Sequence, residues 1–240
     1  MISLICASNN KDVLNKMLMD SLSKQVNAEY ELIIIDGKEH SFKSAAEALN
    51  YGSTLAKGDL LVFVHQDIVF KNEYCLEKII YLARNYKFGI AGIAGATGEN
   101  EYEVSSSVTI GESCRQAGKR ITDVIEAYSL DEVLLIVKKD DFVGFSDYGD
   151  TWHFYGVEYS IKQHNAGKKV LLFPIDVYHA SDAKSLNYSY FDTLLLYGKR
   201  NKKIKLIRTC CGYFKNNMLL RIYCNYRKLK LFVKKILRKK

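Results

Sequence analysis

Proline is almost absent. Pro174 is the only one in 240 residues, so no proline-rich linker cuts the chain into separate units. No run of about 18 apolar residues occurs, so no membrane-spanning helix is expected. The six cysteines are Cys6, Cys75, Cys114, Cys210, Cys211 and Cys224, with no C-x-x-C pair and no Cys/His spacing typical of zinc. They read as small buried thiols of a reducing compartment. The N-terminal Met1-Ile2-Ser3-Leu4-Ile5-Cys6-Ala7 lacks a basic segment, and its apolar run is short for a secretory signal. A cytoplasmic protein is expected.

Acidic residues are missing from residues 201–240, which carry 14 Lys/Arg. Residues 1–200 carry the other 21 basic residues against 27 acidic ones, so an acidic body is joined to a strongly basic arm. In the arm, Leu219, Leu220, Ile222, Leu229, Phe232, Val233, Ile236 and Leu237 are interleaved with Arg221, Arg227, Lys228, Lys230, Lys234, Lys235, Arg238, Lys239 and Lys240. That mixture reads as an amphipathic helix lying on an anionic bilayer, with the protein held peripherally at the inner face of the membrane. The rival readings are a solvated helix packed on the body and nucleic-acid binding. No RNA or DNA motif accompanies the charge, so no nucleic acid is expected as partner. The expected division is a domain over 1–200 and a tail over 201–240.

Apolar residues make up 48% of the chain, enough for a sizeable core. Short apolar runs, Ile2 to Ala7, Glu31 to Asp36, Leu60 to Val64 and Gly89 to Ala94, alternate with helical spacing over Lys11 to Gln25, Ser44 to Ala56 and Glu73 to Tyr86. Gly58 fits a helix C-terminal cap. Strands apolar on both faces, alternating with amphipathic helices, imply a mostly parallel sheet covered on both sides. Ligands of such sheets bind beyond the carboxyl ends of the strands, where Ser8, Asn9, Asp36 and His65-Gln66-Asp67 fall. Glu99 to Asp123 is polar and aperiodic and reads as a loop region. Further on, a strand is expected over 133–137, a helix over 158–166, a strand over 169–177 ending at Tyr178-His179, and a helix over 190–197.

The order of strand, Asp36, helix with Asn50, Gly58-Asp59, strand and His65-Gln66-Asp67 resembles a family 2 glycosyltransferase of the GT-A fold, a Rossmann-like α/β architecture. The later Asp131-Glu132, Trp152-His153-Phe154-Tyr155, Asn165-Ala166-Gly167-Lys168, Pro174 and Tyr178-His179-Ala180-Ser181 are similar to a glycosyltransferase-like branch of that superfamily. The resemblance covers residues 1–200. It implies sugar transfer from a nucleotide-diphosphate donor to a glycan or lipid-linked acceptor, inverting and metal-dependent, in surface polysaccharide or glycolipid synthesis.

The chemistry explains the residue types. A departing diphosphate carries negative charge that Mg²⁺ or Mn²⁺ offsets, and a carboxylate at a strand end holds such an ion. Members usually have Asp-x-Asp where this chain has His65-Gln66-Asp67. The resemblance gives Asp67 the metal contact, with His65 and Gln66 near the nucleotide and His179 a further ligand of metal or diphosphate. Asp36, Ser8 and Asn50 fall at nucleotide-binding positions. Turn formation is the ordinary role for Asp36, and a helix N-cap for Ser8. Asp131, Glu132, Trp152 and His153 fall on the acceptor side, where core packing is the alternative for the aromatics.

One departure bears on mechanism. The family commonly has an acidic general base where this chain has Gly156. Glu158 or Asp150 is the expected substitute. The alternative is a catalytically altered module that binds nucleotide or glycan as a partner subunit.

Overall fold

The computed structural model describes residues 1–37, 41–98, 101–181 and 186–237. The expected loop residues 99 and 100 and the tail residues Arg238, Lys239 and Lys240 lie outside them.

A seven-stranded sheet forms the centre. Across it run Ile125–Glu126, Val170–Leu172, Ile90–Gly92, Leu134–Lys138, β3 (Leu60–Val64), β1 (Ile2–Ser8) and β2 (Tyr30–Asp36). Five of these point the same way. Leu134–Lys138 is antiparallel to both neighbours, and Ile125–Glu126 is antiparallel to Val170–Leu172. The sheet is therefore mixed: five of its seven strands share a direction, while three of its six pairings are antiparallel. The reversal matters to function: a strand running backwards brings its leading residues, Asp131 and Glu132, to the edge where β1, β2 and β3 finish.

Alternation along the strands explains the two cores. Ile2, Leu4 and Cys6 of β1 and Leu60, Val62 and Val64 of β3 face one cluster, packed by Leu14, Leu18, Leu76 and Ile79 from the helices at 11–22 and Cys75–Asn85. Ile5, Leu61 and Phe63 face the other, with Ala45 and Leu49 of the helix Ala45–Leu55 and Tyr159 of the helix Tyr155–Asn165. Successive side chains on a strand point to opposite faces, so a run apolar throughout is covered on both sides. Ser44, the first residue of the expected helix span, caps Ala45–Leu55 by accepting from the Glu47 N–H. Gly58 does not cap that helix. It lies against β1, where a Cβ would stand 2.6 Å from the Met1 carbonyl oxygen, and its N–H donates to Ser3 Oγ at 2.8 Å.

The polar stretch expected as a loop contains short strands. Val108–Ile110 joins β4 (Ile68–Phe70), Val177–His179 and Arg115–Gln116 in one sheet; Val104–Ser106 and Lys119–Arg120 belong to another. Serines conceal these strands from a hydropathy reading. Ser105, Ser106 and Ser107 are buried, and hydrogen bonding takes the place of apolar character: Ser107 Oγ donates to the Ile175 carbonyl at 2.7 Å. The strand expected over 169–177 is two strands, Val170–Leu172 and Val177–His179, because the chain leaves the central sheet at Phe173-Pro174 for the smaller one.

Residues 201–240 are not helical throughout. Leu206–Thr209 and Gly212–Lys215 pair as a hairpin, and the helix Met218–Leu237 follows. Leu220 and Cys224 of that helix are buried with Phe191, Leu194 and Tyr197 of the helix Tyr188–Arg200 and with Ile207 and Phe214 of the hairpin. No helix among the described residues is long and apolar enough to cross a membrane.

Candidate active site

The parallel register lines up the strand ends. Ser8 pairs with Asp36 across β1 and β2, and β3 finishes beside them at Val64, so His65, Gln66 and Asp67 extend past the same edge. Gln66 ties this edge together. Its Oε1 accepts from Ser8 Oγ at 2.8 Å and from the N–H groups of Asn9 and Asn10 at 3.2 and 3.1 Å, while its amide donates to Asn9 Oδ1 at 2.7 Å. Ser8 is thus engaged by Gln66 and is not the helix cap; Asn10 caps instead, accepting from Asp12 and Val13. Asp36 lies 3.3 Å from Lys11 Nζ.

The second sheet delivers His179. Register sets His179 opposite Ile68 of β4, one residue after Asp67, and the Ala180 N–H donates to the Asp67 carbonyl at 3.0 Å. His179 Nε2 stands 3.2 Å from Asp67 Oδ1, and His65 Nδ1 stands 4.0 Å from the same oxygen. One ligating atom from each of His65, Asp67 and His179 lies within 4.8 Å of the others. Burial favours a neutral Asp67, but the hydrogen bond and charge of His179, aided by His65, hold its carboxyl below the usual range. Burial, and then the neighbouring His179, hold the His65 imidazole below its ordinary range, leaving the neutral form that ligates metals. Two imidazoles and an ionised carboxylate on one small face are a donor set that fits a divalent cation and leaves its other positions open.

Two cavities meet here. One, about 570 Å³, is lined by Ser8, Gly37, Phe42, Leu49, Gln66 and Trp152 among others; the second, about 660 Å³, by Tyr102, Arg115, Asp131, His179, Tyr190 and Cys211 among others. His65, Asp67, Glu132 and His153 line both. Burial and then the Asp131 carboxylate push the Glu132 carboxyl up to about 8. Burial holds the His153 imidazole below its ordinary range.

Other expected residues lie elsewhere. The Asn50 side chain donates to the Phe145 carbonyl at 2.9 Å and accepts from its N–H at 2.8 Å, so it fastens the segment after Leu134–Lys138 and does not line the first cavity. Glu158 Oε1 accepts from Ser146 Oγ at 2.9 Å and lies 3.8 Å from Lys162 Nζ, outside both cavities. Asp150 is exposed, and its carbonyl accepts from Ser189 Oγ at 3.4 Å. Cys210, Cys211 and Tyr190 of the second cavity carried no sequence signal of function.

Solved structures of GT-A glycosyltransferases share this fold. Residues 3–181 match the model of a glycosyltransferase-like family, and the chain belongs to it. An uncharacterized glycosyltransferase of Haemophilus influenzae is 31% identical over a segment covering 33% of this chain and 33% of its own, so the match spans about a third of that relative. GalNAc-T7, solved with UDP, GalNAc and Mn²⁺, superposes with a TM-score of 0.57 at 15% identity, over 82% of this chain and 47% of its own. PcManGT, a mannosyltransferase of Pyrobaculum calidifontis solved with GDP-Man and Mn²⁺, gives 0.56 at 13%, over 85% and 64%. TarS 1–349 of S. aureus, solved with UDP-GlcNAc, gives 0.51 at 16%, over 82% and 65%. These likenesses are of fold.

Proposed function

We propose that this chain transfers a sugar from a nucleotide-diphosphate donor to a hydroxyl of a glycan or lipid-linked acceptor, with inversion and with a divalent metal. The observation that carries the reading is the His65–Asp67–His179 cluster where the two cavities meet. The cavity beside Ser8 and Gly37 takes the nucleotide, and the one beside Asp131 and Tyr190 takes the acceptor. A divalent ion held by the cluster would offset the charge that builds on the departing diphosphate. Two imidazoles in the set favour Mn²⁺ over Mg²⁺, which prefers oxygen ligands alone. Gln66 acts by fixing the strand ends that carry the ligands. Calorimetric titration of UDP and GDP, each with and without Mn²⁺, tests the donor half. The expected result is binding that requires Mn²⁺ and is lost in Asp67→Ala. Equal binding by the variant overturns it.

The same reading extends to an anionic membrane surface. On the helix Met218–Leu237, Leu219, Ile222, Tyr226, Leu229, Val233 and Ile236 are exposed and recur every three or four residues, which draws one apolar stripe along the helix. Arg221, Lys230, Lys234 and Lys235 lie on the same helix. An apolar stripe among basic residues is the pattern of a helix in a bilayer interface, and it supports peripheral attachment near a lipid-linked acceptor in surface polysaccharide or glycolipid synthesis.

A further inference from the structure

The helix Tyr155–Asn165 begins without an acidic side chain at Gly156, and a different element supplies one there. Glu132 stands just before the reversed strand Leu134–Lys138, and its Oε1 accepts from the Gly156 N–H at 3.3 Å. The Phe154 N–H also favours the Glu132 carboxylate. Phe154, preceding the helix, has a left-handed backbone at φ 75°, unusual for a residue with a Cβ. The carboxylate thus meets the first N–H groups of a helix, which offset part of the effect of burial and of Asp131 on its charge.

Space for a second side chain is tight at this point. A Cβ on residue 156 would stand 3.3 Å from Glu132 Cγ and 3.0 Å from the Leu130 carbonyl oxygen. A side chain at 156 and the Glu132 side chain compete for the same volume. Gly156 therefore leaves the room that Glu132 occupies.

Resting on the transferase reading above, we propose that Glu132 is the general base of this chain, reaching from the strand side the place that a helix residue would otherwise fill. Its location suits the task, because it lines both cavities and an acceptor hydroxyl must meet the donor sugar where they join. The acceptor O–H proton passes to the Glu132 carboxylate. The acceptor oxygen forms a bond to the anomeric carbon. The bond from that carbon to the diphosphate oxygen breaks, and the nucleoside diphosphate leaves with the electron pair. Glu158 is held by Ser146 and Lys162 away from the cavities. Asp131 lines only the second cavity, and its Oδ1 accepts from the Val133 N–H at 3.2 Å.

The test uses the full chain with Mn²⁺. Nucleotide release from UDP-GlcNAc and GDP-mannose is followed with water standing in for the acceptor, and affinity for UDP and GDP is measured alongside. Glu132→Gln is expected to leave nucleotide affinity within about threefold while lowering kcat by about 10²–10⁴-fold, the usual reach of general-base catalysis. The exchange Glu132→Gly with Gly156→Asp returns the acid to the helix side, and recovers at least about tenfold of the lost kcat. Turnover by Glu132→Gln within about threefold of wild type overturns the assignment, as does an exchange variant that binds nucleotide normally yet stays at the Glu132→Gln rate. A wild-type protein that neither binds nucleotide with Mn²⁺ nor releases it from either donor is a different result: it refutes the transferase reading, and this assignment with it.

Discussion

His179 Nε2 lies 3.2 Å from Asp67 Oδ1, joining two residues from distant parts of the chain. Local preference does not bring them together. Antiparallel pairing of Val177–His179 with β4 does, since His179 pairs with Ile68 and so falls beside its predecessor. One register therefore builds the cluster, and a one-residue slip would turn His179 to the other face of its sheet.

On the proposed reading, His179 should contribute to cation affinity more than to folding. Replacing His179 with Gln is expected to weaken Mn²⁺ at least about tenfold in nucleotide-binding titrations, since losing a partner one shell further out already costs about 10–100-fold. The melting temperature should fall by only a few degrees. With wild type, Mn²⁺ should support tighter nucleotide binding than Mg²⁺ at equal concentration.

Glu132 sets a pH dependence of stability in metal-free buffer. Its carboxyl is raised from 4.5 to about 8, by burial first and then by Asp131; Tyr155, Tyr190, Cys210 and Cys211 also face it. Between those values the folded chain keeps a proton that the unfolded chain has released, so stability falls as pH rises across the window. Glu132→Gln removes the titration. The variant should match wild type near pH 4 and melt at a higher temperature than wild type above pH 8, read by thermal unfolding in EDTA.

Glu31 gives the opposite sign at the far end of the sheet. Its Oε1 accepts from Ser3 Oγ and from the Lys57 N–H, both at 2.6 Å, and the Ser3 hydroxyl bond is the main cause of a carboxyl held below 4.5. A lowered carboxyl adds stability above its unfolded value, and that stability is lost as pH falls through the folded one. Glu31→Gln should cost about 1 kcal/mol in denaturant unfolding at pH 7, the scale of one net hydrogen bond, and less at pH 3.

Membrane attachment is tested without disturbing the core. Leu229, Phe232 and Ile236 are exposed, whereas Leu220 and Cys224 of the same helix are buried. Changing the three exposed residues to Asp should abolish co-sedimentation with phosphatidylserine vesicles and leave the melting temperature nearly unchanged. Raising the salt should weaken wild-type binding, because attraction between surface charges is screened.

The strand ends were legible in the sequence because buried parallel strands leave a plain apolar signal; Ser8 and Asp36 end two of them and His65 directly follows a third. His179 at a strand end was equally legible, but not its partner, since register is a property of two segments. The strands within 99–123 were hidden by serines whose hydrogen bonds replace apolar burial. Glu132 was visible as an acidic residue before a strand. Its meeting with Gly156 was not, because that contact depends on the strand running antiparallel, and hydropathy carries no direction.

The most direct measurement is Mn²⁺-dependent nucleotide release from a panel of UDP- and GDP-sugars by wild type and Asp67→Ala, with binding of the bare nucleotide as control. The account predicts release from at least one donor by wild type, lost on removing Mn²⁺ and lost in the variant. Release that survives Asp67→Ala undiminished, or nucleotide bound with Mn²⁺ but never released from any donor, would contradict it.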